Sequence, residues 1–138
     1  MSINVDKGDL EALLARLEAG DREKVTGEAM KHLAQRTVDV AKKNTPVGET
    51  GDLRRSWFIQ EESATRVVVA NSAKYAEYVE YGHRQEPGRF VPVLGKRLKH
   101  SWVRGQFFAK RSGETIRKNA DKIMRPVIIK EVQKIIDG

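Results

Sequence analysis

The chain has 138 residues, with 26 Lys and Arg against 19 Asp and Glu, three His and no Cys, for a formal net charge of +7. That length suits one domain burying roughly 70% of its unfolded surface, and the lack of Cys excludes disulfide frameworks, zinc ribbons, iron–sulfur clusters and thiol nucleophiles. Asp6, Lys7 and Asp9 interrupt the apolar run a signal peptide needs, and the longest obvious apolar run, Val67–Ala70, falls far below the ~20 residues of a membrane span; the expectation is a soluble, cytosolic protein with no membrane partner.

From Asp9 to Ala19, leucines 10, 13, 14 and 17 repeat at helical spacing, with Asp9 placed to cap and Gly20 to stop a short helix. After Asp21, Val25, Met30, Leu33, Ala34, Thr37, Val40 and Ala41 keep the same period up to Lys42 and Lys43, whose charge suits a helix C-terminus. The loop Asn44–Gly51, with one Pro and two Gly, breaks that helix. Leu53, Trp57 and Ile59 then share one parity and predict a strand with one buried face, Glu61–Ala64 a turn, and the β-branched run Arg66–Asn71 a returning strand. Two strands are too few to stand alone, so the long helix is expected to pack across their apolar face.

Ala73–Tyr81 predicts a short helix carrying Tyr75, Tyr78 and Tyr81, ended by Gly82. His83–Arg104 holds Pro87 and Pro92 and no sustained period, and reads as a long loop or arm; Leu98, His100 and Trp102 alternate, which admits a third strand there. Ser112 is placed to cap a final helix with an apolar stripe through Ile116, Ala120, Ile123, Val127, Val132 and Ile135, which Pro126 should kink or restart. The fold expected is α+β: a small antiparallel sheet against a long helix, N- and C-terminal helices, and a long irregular basic loop. Within a single domain over 1–138, the segments are an N-terminal helical piece (1–22), the helix, hairpin and tyrosine helix (23–82), the basic arm (83–111) and the C-terminal helix (112–138).

Charge is unevenly placed. Tyr81–Arg111 holds eight basic residues (Arg84, Arg89, Lys96, Arg97, Lys99, Arg104, Lys110 and Arg111) against Glu86, the whole excess of +7. A local basic stretch suits a polyanion, an acidic protein surface or a neighbouring copy of the chain. Phe90, Trp102, Phe107 and Phe108 interleave with these charges, as in single-strand-binding surfaces and in protein interfaces alike.

Catalytic and metal motifs are absent. His32, His83 and His100 have no ligand partner at helical spacing, Gly88 and Gly95-Lys96 fail the spacing of a phosphate loop, and no dinucleotide, lipase or β-lactamase signature occurs. Glu77 and Glu80, three apart, are the one pair with a conceivable acid–base role, although ion-pair or interface duty is the simpler reading. No catalytic, cofactor-binding or metal residue is therefore assigned, and no cofactor or small-molecule substrate is expected.

The ordered segments A-K-K-N-T-P-V-G-E-T-G-D-L-R-R-S-W, V-V-V-A-N and Y-A-E-Y-V-E-Y-G-H-R resemble the neck, head–tail joining or tail-completion proteins of tailed bacteriophages, typified by the tenth-gene tail component of a lambdoid phage. The matching positions are Pro46, Thr50, Gly51, Leu53, Arg54 and Ser56, then Tyr75, Ala76, Tyr78, Val79, Glu80 and Gly82, with Trp102–Phe108 similar to the Gly and Phe that precede the family's last helix. The resemblance spans about residues 25–136 and implies a non-enzymatic subunit of a virion or tail-like particle, assembled in the bacterial cytoplasm. It further implies a homo-oligomeric ring, a hexamer by analogy, whose partners are itself, head-closure and tail-terminator or tail-tube proteins, and channel DNA contacted without sequence specificity. The arm residues placed to face a neighbour or DNA are Arg84, Arg89, Lys96, Arg97, Lys99, Trp102, Arg104 and Phe107. The alternative is a small basic nucleic-acid-binding regulator; a hydrolase built on Glu77 or Glu80 is a weaker third.

Overall fold

In a computed structural model of the chain, residues 1–6, 19–48, 50–93 and 95–137 are described. The helix expected over Asp9–Ala19 lies, up to position 18, outside the described residues. The elements are β1 (Ser2–Asp6), α1 (Ala19–Asn44), α2 (Asp52–Arg55), β2 (Trp57–Glu62), β3 (Arg66–Asn71), α3 (Ala76–Tyr81), β4 (Gly82–Arg84), β5 (Phe90–Val91), β6 (Lys96–Arg97), β7 (Trp102–Arg104) and α4 (Phe108–Asp137). The architecture is α+β, with small antiparallel sheets and two long helices.

The central sheet is antiparallel in the order β1-β3-β2. β3 is the middle strand and is buried from Val67 to Asn71, which is why its sequence is a run of valines instead of an alternating pattern. The hairpin β2–β3 forms where the sequence predicts it. β1 is an addition: the sequence places residues 1–22 in a helical piece, whereas Ser2–Asp6 pairs with the far edge of β3, Ile3 opposite Val69. Five residues are too short a window for a period to show, and the strand is held by its partner.

α1 and α4 cover the inner face of this sheet. Val25, Ala29, Met30, Leu33, Ala34, Val38 and Ala41 of α1 meet Phe108, Ile116, Met124 and Ile128 of α4, together with Ile3, Val67, Val69 and Trp57, in one core cluster. Asn44, at the end of α1, donates to Ser112 near the start of α4, while His32 and Val127 line one groove further along, so the helices run antiparallel. Gly113 faces Ile3, whose Cγ2 would stand 3.4 Å from a Cβ placed there, an ordinary contact that marks how β1 seats on α4.

Three local expectations change. Leu53 sits in the helical turn α2 and not in a strand: Arg55 and Ser56 donate to the carbonyls of Gly51 and Asp52, and the spacing of Leu53 to Trp57 fits i, i+4 as well as strand parity. α4 begins at Phe108 instead of Ser112, whose buried hydroxyl donates back to the Phe108 carbonyl at 2.6 Å. The same helix does not restart at Pro126, which is exposed and lies inside it.

Candidate assembly surface

The first motif closes the end of α1. Thr45 follows the last helical residue and precedes Pro46, whose ring disfavours helical geometry before it. The Thr45 hydroxyl donates to the Ala41 carbonyl and accepts from Trp57 Nε1 at 2.7 Å, while its carbonyl accepts from Arg54 Nη2 at 2.9 Å. Gly51 adopts φ +72, a left-handed turn open to glycine at little cost, and Thr50 Oγ1 accepts from the Asp52 amide just beyond. Leu53 is buried; its carbonyl accepts from Asn71 Nδ2 at 2.8 Å, and Ser56 Oγ returns to the Asp52 carbonyl. These side chains bind one another and the backbone, a structural and not a chemical constellation.

The second motif anchors the C-terminal helix. Glu80 is 1% exposed, and its two carboxylate oxygens accept from the backbone amides of Ala109 at 2.8 Å and Lys110 at 2.9 Å. α4 has no acidic residue in its own first turn, so a carboxylate 29 residues upstream satisfies its free amides and its dipole. Glu77 is exposed, so the two glutamates do not form a pair. Ala76 is buried beneath the same turn, and Tyr75, Tyr78 and Tyr81 stand exposed. Phe108 meets Trp57 edge-on at 6.0 Å, which joins the two motifs in the core.

At this junction the backbones nearly touch. Gly82 adopts φ +88, and a Cβ there would lie 2.4 Å from the Val103 carbonyl oxygen; one on Gly105 would lie 2.5 Å from the Glu80 carbonyl oxygen. Gln106 and Phe107 donate to the carbonyls of Val79 and Glu80. Phe107 turns into α4 with φ +50, uncommon for a bulky residue; its exposed ring lies 6.4 Å from Tyr81, with Lys110 Nζ 5.9 Å from its centroid.

From this foot rises a two-stranded ribbon, in place of an irregular loop. β4 pairs with β7 and β5 with β6, both antiparallel, and Gln85 to Ser101, Gly88 to Leu98 and Leu98 to Arg89 hydrogen bonds continue the ladder between them. The register shifts by one residue between the two halves, from Arg84 opposite Trp102 to Phe90 opposite Arg97. None of the described residues from Arg84 to Trp102 is buried. The alternation of Leu98, His100 and Trp102 admitted a strand in this segment, and β7 forms at its end, Trp102–Arg104; with both faces in water no sustained amphipathic pattern marks the rest of the ribbon. Ten residues from Gly82 to Val91 give it a reach of up to about 30 Å.

The arm residues Arg84, Arg89, Lys96, Arg97, Lys99 and Arg104 are exposed along this ribbon, with Trp102 (55% exposed) and Phe90 (50%) each directly across from an arginine. Phe107 lies at its foot. His32 and His100 are exposed, His83 lies 5.7 Å from the Tyr78 ring, and among the described residues no three His, Cys, Asp or Glu gather as a metal site. Among the described residues no helix is long and apolar enough to cross a membrane. Sequence reasoning noted the Gly before Phe107-Phe108 as part of the resemblance but gave it no job, and it missed Thr45 and Asn71, whose bonds to Trp57 and Leu53 cross 12 and 18 residues; the Asn that ends the valine run was the available signal.

Comparison with curated proteins and with solved structures finds no match. Comparison with protein families matches residues 8–82, more than half of the chain, to the family described as "Bacteriophage HK97-gp10, putative tail-component". The match ends at Gly82, so it takes in both motifs up to the foot of the ribbon and leaves the ribbon and α4 beyond it. The chain belongs to the HK97-gp10-like family of bacteriophage tail components.

Proposed function

We propose that the chain is a non-enzymatic neck or tail-completion subunit that acts as a single domain in a homo-oligomeric ring, a hexamer by analogy, and joins tail to head or caps the tail tube. The observation that carries this reading is the ribbon: solvated, strongly basic, and fixed to the body by the Glu80 cap and the Gly82–Gly105 crossing. An arm whose described residues from Arg84 to Trp102 are all unburied, studded with aromatic and arginine side chains, suits contact with a neighbour. Heterologous contacts of that kind close into rings by rotation. The carboxylate with the greatest claim to catalysis, Glu80, has both oxygens engaged by backbone amides, which supports a structural role. Head-closure and tail-tube or tail-terminator proteins are the further partners, the particle is the site of action, and any contact with channel DNA is to phosphate.

The test is electron microscopy of lysates from the parent phage or prophage with this gene deleted. Full heads beside unattached tails, or tails with abnormal ends, support the reading; normally joined, infectious particles overturn it. Neutralising Arg84, Arg89, Arg97 and Arg104 together should reproduce the deletion phenotype with the fold intact. Tight binding of free duplex at physiological salt, with normal particles in the deletion, is the result that favours the regulator instead.

A further inference from the structure

β2 is an unfinished edge. Among the described residues its one strand neighbour is β3, and Phe58 (44% exposed) and Ile59 (37% exposed) stand on its outer and inner faces, opposite Ala70 and Val69. Glu61 and Glu62 follow, both exposed, and a register shift between Ile59 and Glu61 marks a bulge. Ile59 and Glu62 open onto a groove between α1 and α4. A further strand laid along β2 would satisfy its free backbone groups and cover both apolar side chains at once.

The ribbon offers one strand suited to that place. Its first strand, 83–91, contains Pro87, which has no amide to donate, and Glu86, which would oppose an acidic edge. Its second, Lys96–Arg104, has four basic residues, no acidic residue and no Pro or Gly. Charge also decides which pairs of edges meet. Two β2 edges joined across a two-fold axis run antiparallel and bring no opposite charges together, and two ribbons would set arginines and lysines against each other. The unlike pair is the favourable one. A contact between two different surfaces is heterologous and propagates around a ring, where like edges would give a closed two-fold dimer.

We propose that the β2 edge of each copy receives the Lys96–Arg104 strand of a neighbouring copy, which extends the three-stranded sheet by one strand across the subunit boundary. The occupant is a second copy of this chain, so the inference rests on the ring reading and names its interface.

The experiment uses the full chain and reads oligomer mass by sedimentation and mass photometry, with circular dichroism and thermal unfolding to show that each variant folds. One variant carries Glu61→Lys and Glu62→Lys, a second Lys96→Glu, Arg97→Glu and Lys99→Glu, and a third all five changes. Each of the first two should weaken self-association at least about tenfold. The five-fold variant should recover it, and so should an equimolar mixture of the first two, because each then offers the edge or strand that the other lacks. Equal association of all variants overturns the proposal, as does loss of association by the ribbon variant alone, which would point to DNA or another acidic partner. A wild-type chain that stays monomeric at every concentration tested also overturns it. The deletion phenotype in particles judges the neck reading separately, since it makes no reference to this edge.

Discussion

Replacing Glu80 tests whether that carboxylate holds the C-terminal helix or performs chemistry. Glu80→Ala removes two charge-assisted hydrogen bonds, to the buried Ala109 amide and the part-buried Lys110 amide, and leaves both donors without a partner. Such bonds are worth about 1.5–3 kcal/mol when buried, and the second is discounted for its exposure, so the loss is about 3 kcal/mol. Glu80→Gln keeps one acceptor but turns an amide donor towards an amide donor and removes the charge facing the helix terminus, at about 1.5–2 kcal/mol. At roughly 3–4 °C per kcal/mol for a chain of this size, the expected falls in Tm are about 10 °C for alanine and about 5 °C for glutamine. Urea and thermal unfolding give the energies, and hydrogen exchange should show lost protection at Ala109 and Lys110 ahead of the rest of α4. Both variants within about 1 °C of the parent would refute the capping argument.

Gly105→Ala places a methyl 2.5 Å from the Glu80 carbonyl oxygen; the backbones cannot both keep their places, and a loss of at least about 3 kcal/mol in urea unfolding is expected. Thr45→Val keeps the shape but leaves Trp57 Nε1 without its acceptor, a cost of about 2 kcal/mol, whereas Thr45→Ser should stay within about 1 kcal/mol of the parent. Ile116→Ala, in the centre of the α1–α4 contact and fully buried, should cost about 2–5 kcal/mol by the same measurement. Exchanging Arg84, Arg89, Arg97 and Arg104 for Gln should leave Tm within about 2 °C of the parent, since these side chains are exposed; a larger fall would mean that the ribbon is part of the folded core.

α1 was legible from sequence because Val25, Met30, Leu33, Ala34 and Ala41 repeat over many turns on one buried face, and the β2–β3 hairpin because a polar turn divides two β-forming runs. The family motifs were legible as short strings, Pro46 to Ser56 and Tyr75 to Gly82, and the local roles of Pro46, Gly51 and Gly82 followed from their backbone chemistry. The charge excess and its confinement to one segment were likewise plain in the composition.

What tertiary structure decided has its cause in partners remote along the chain. β1 is a strand because β3 offers an edge, and Leu53 lies in a turn because its carbonyl is held by Asn71. α4 starts at Phe108 because Glu80, 29 residues upstream of Ala109, caps the amides of its first turn. The basic arm is a ribbon because its two halves pair with each other in water, and beyond the short alternation of Leu98, His100 and Trp102 no buried face leaves a sustained pattern. Local propensity and periodicity report what a residue does with neighbours a few positions away. Caps, crossings and solvated pairings depend on which distant backbone arrives, and the folded chain alone supplies that.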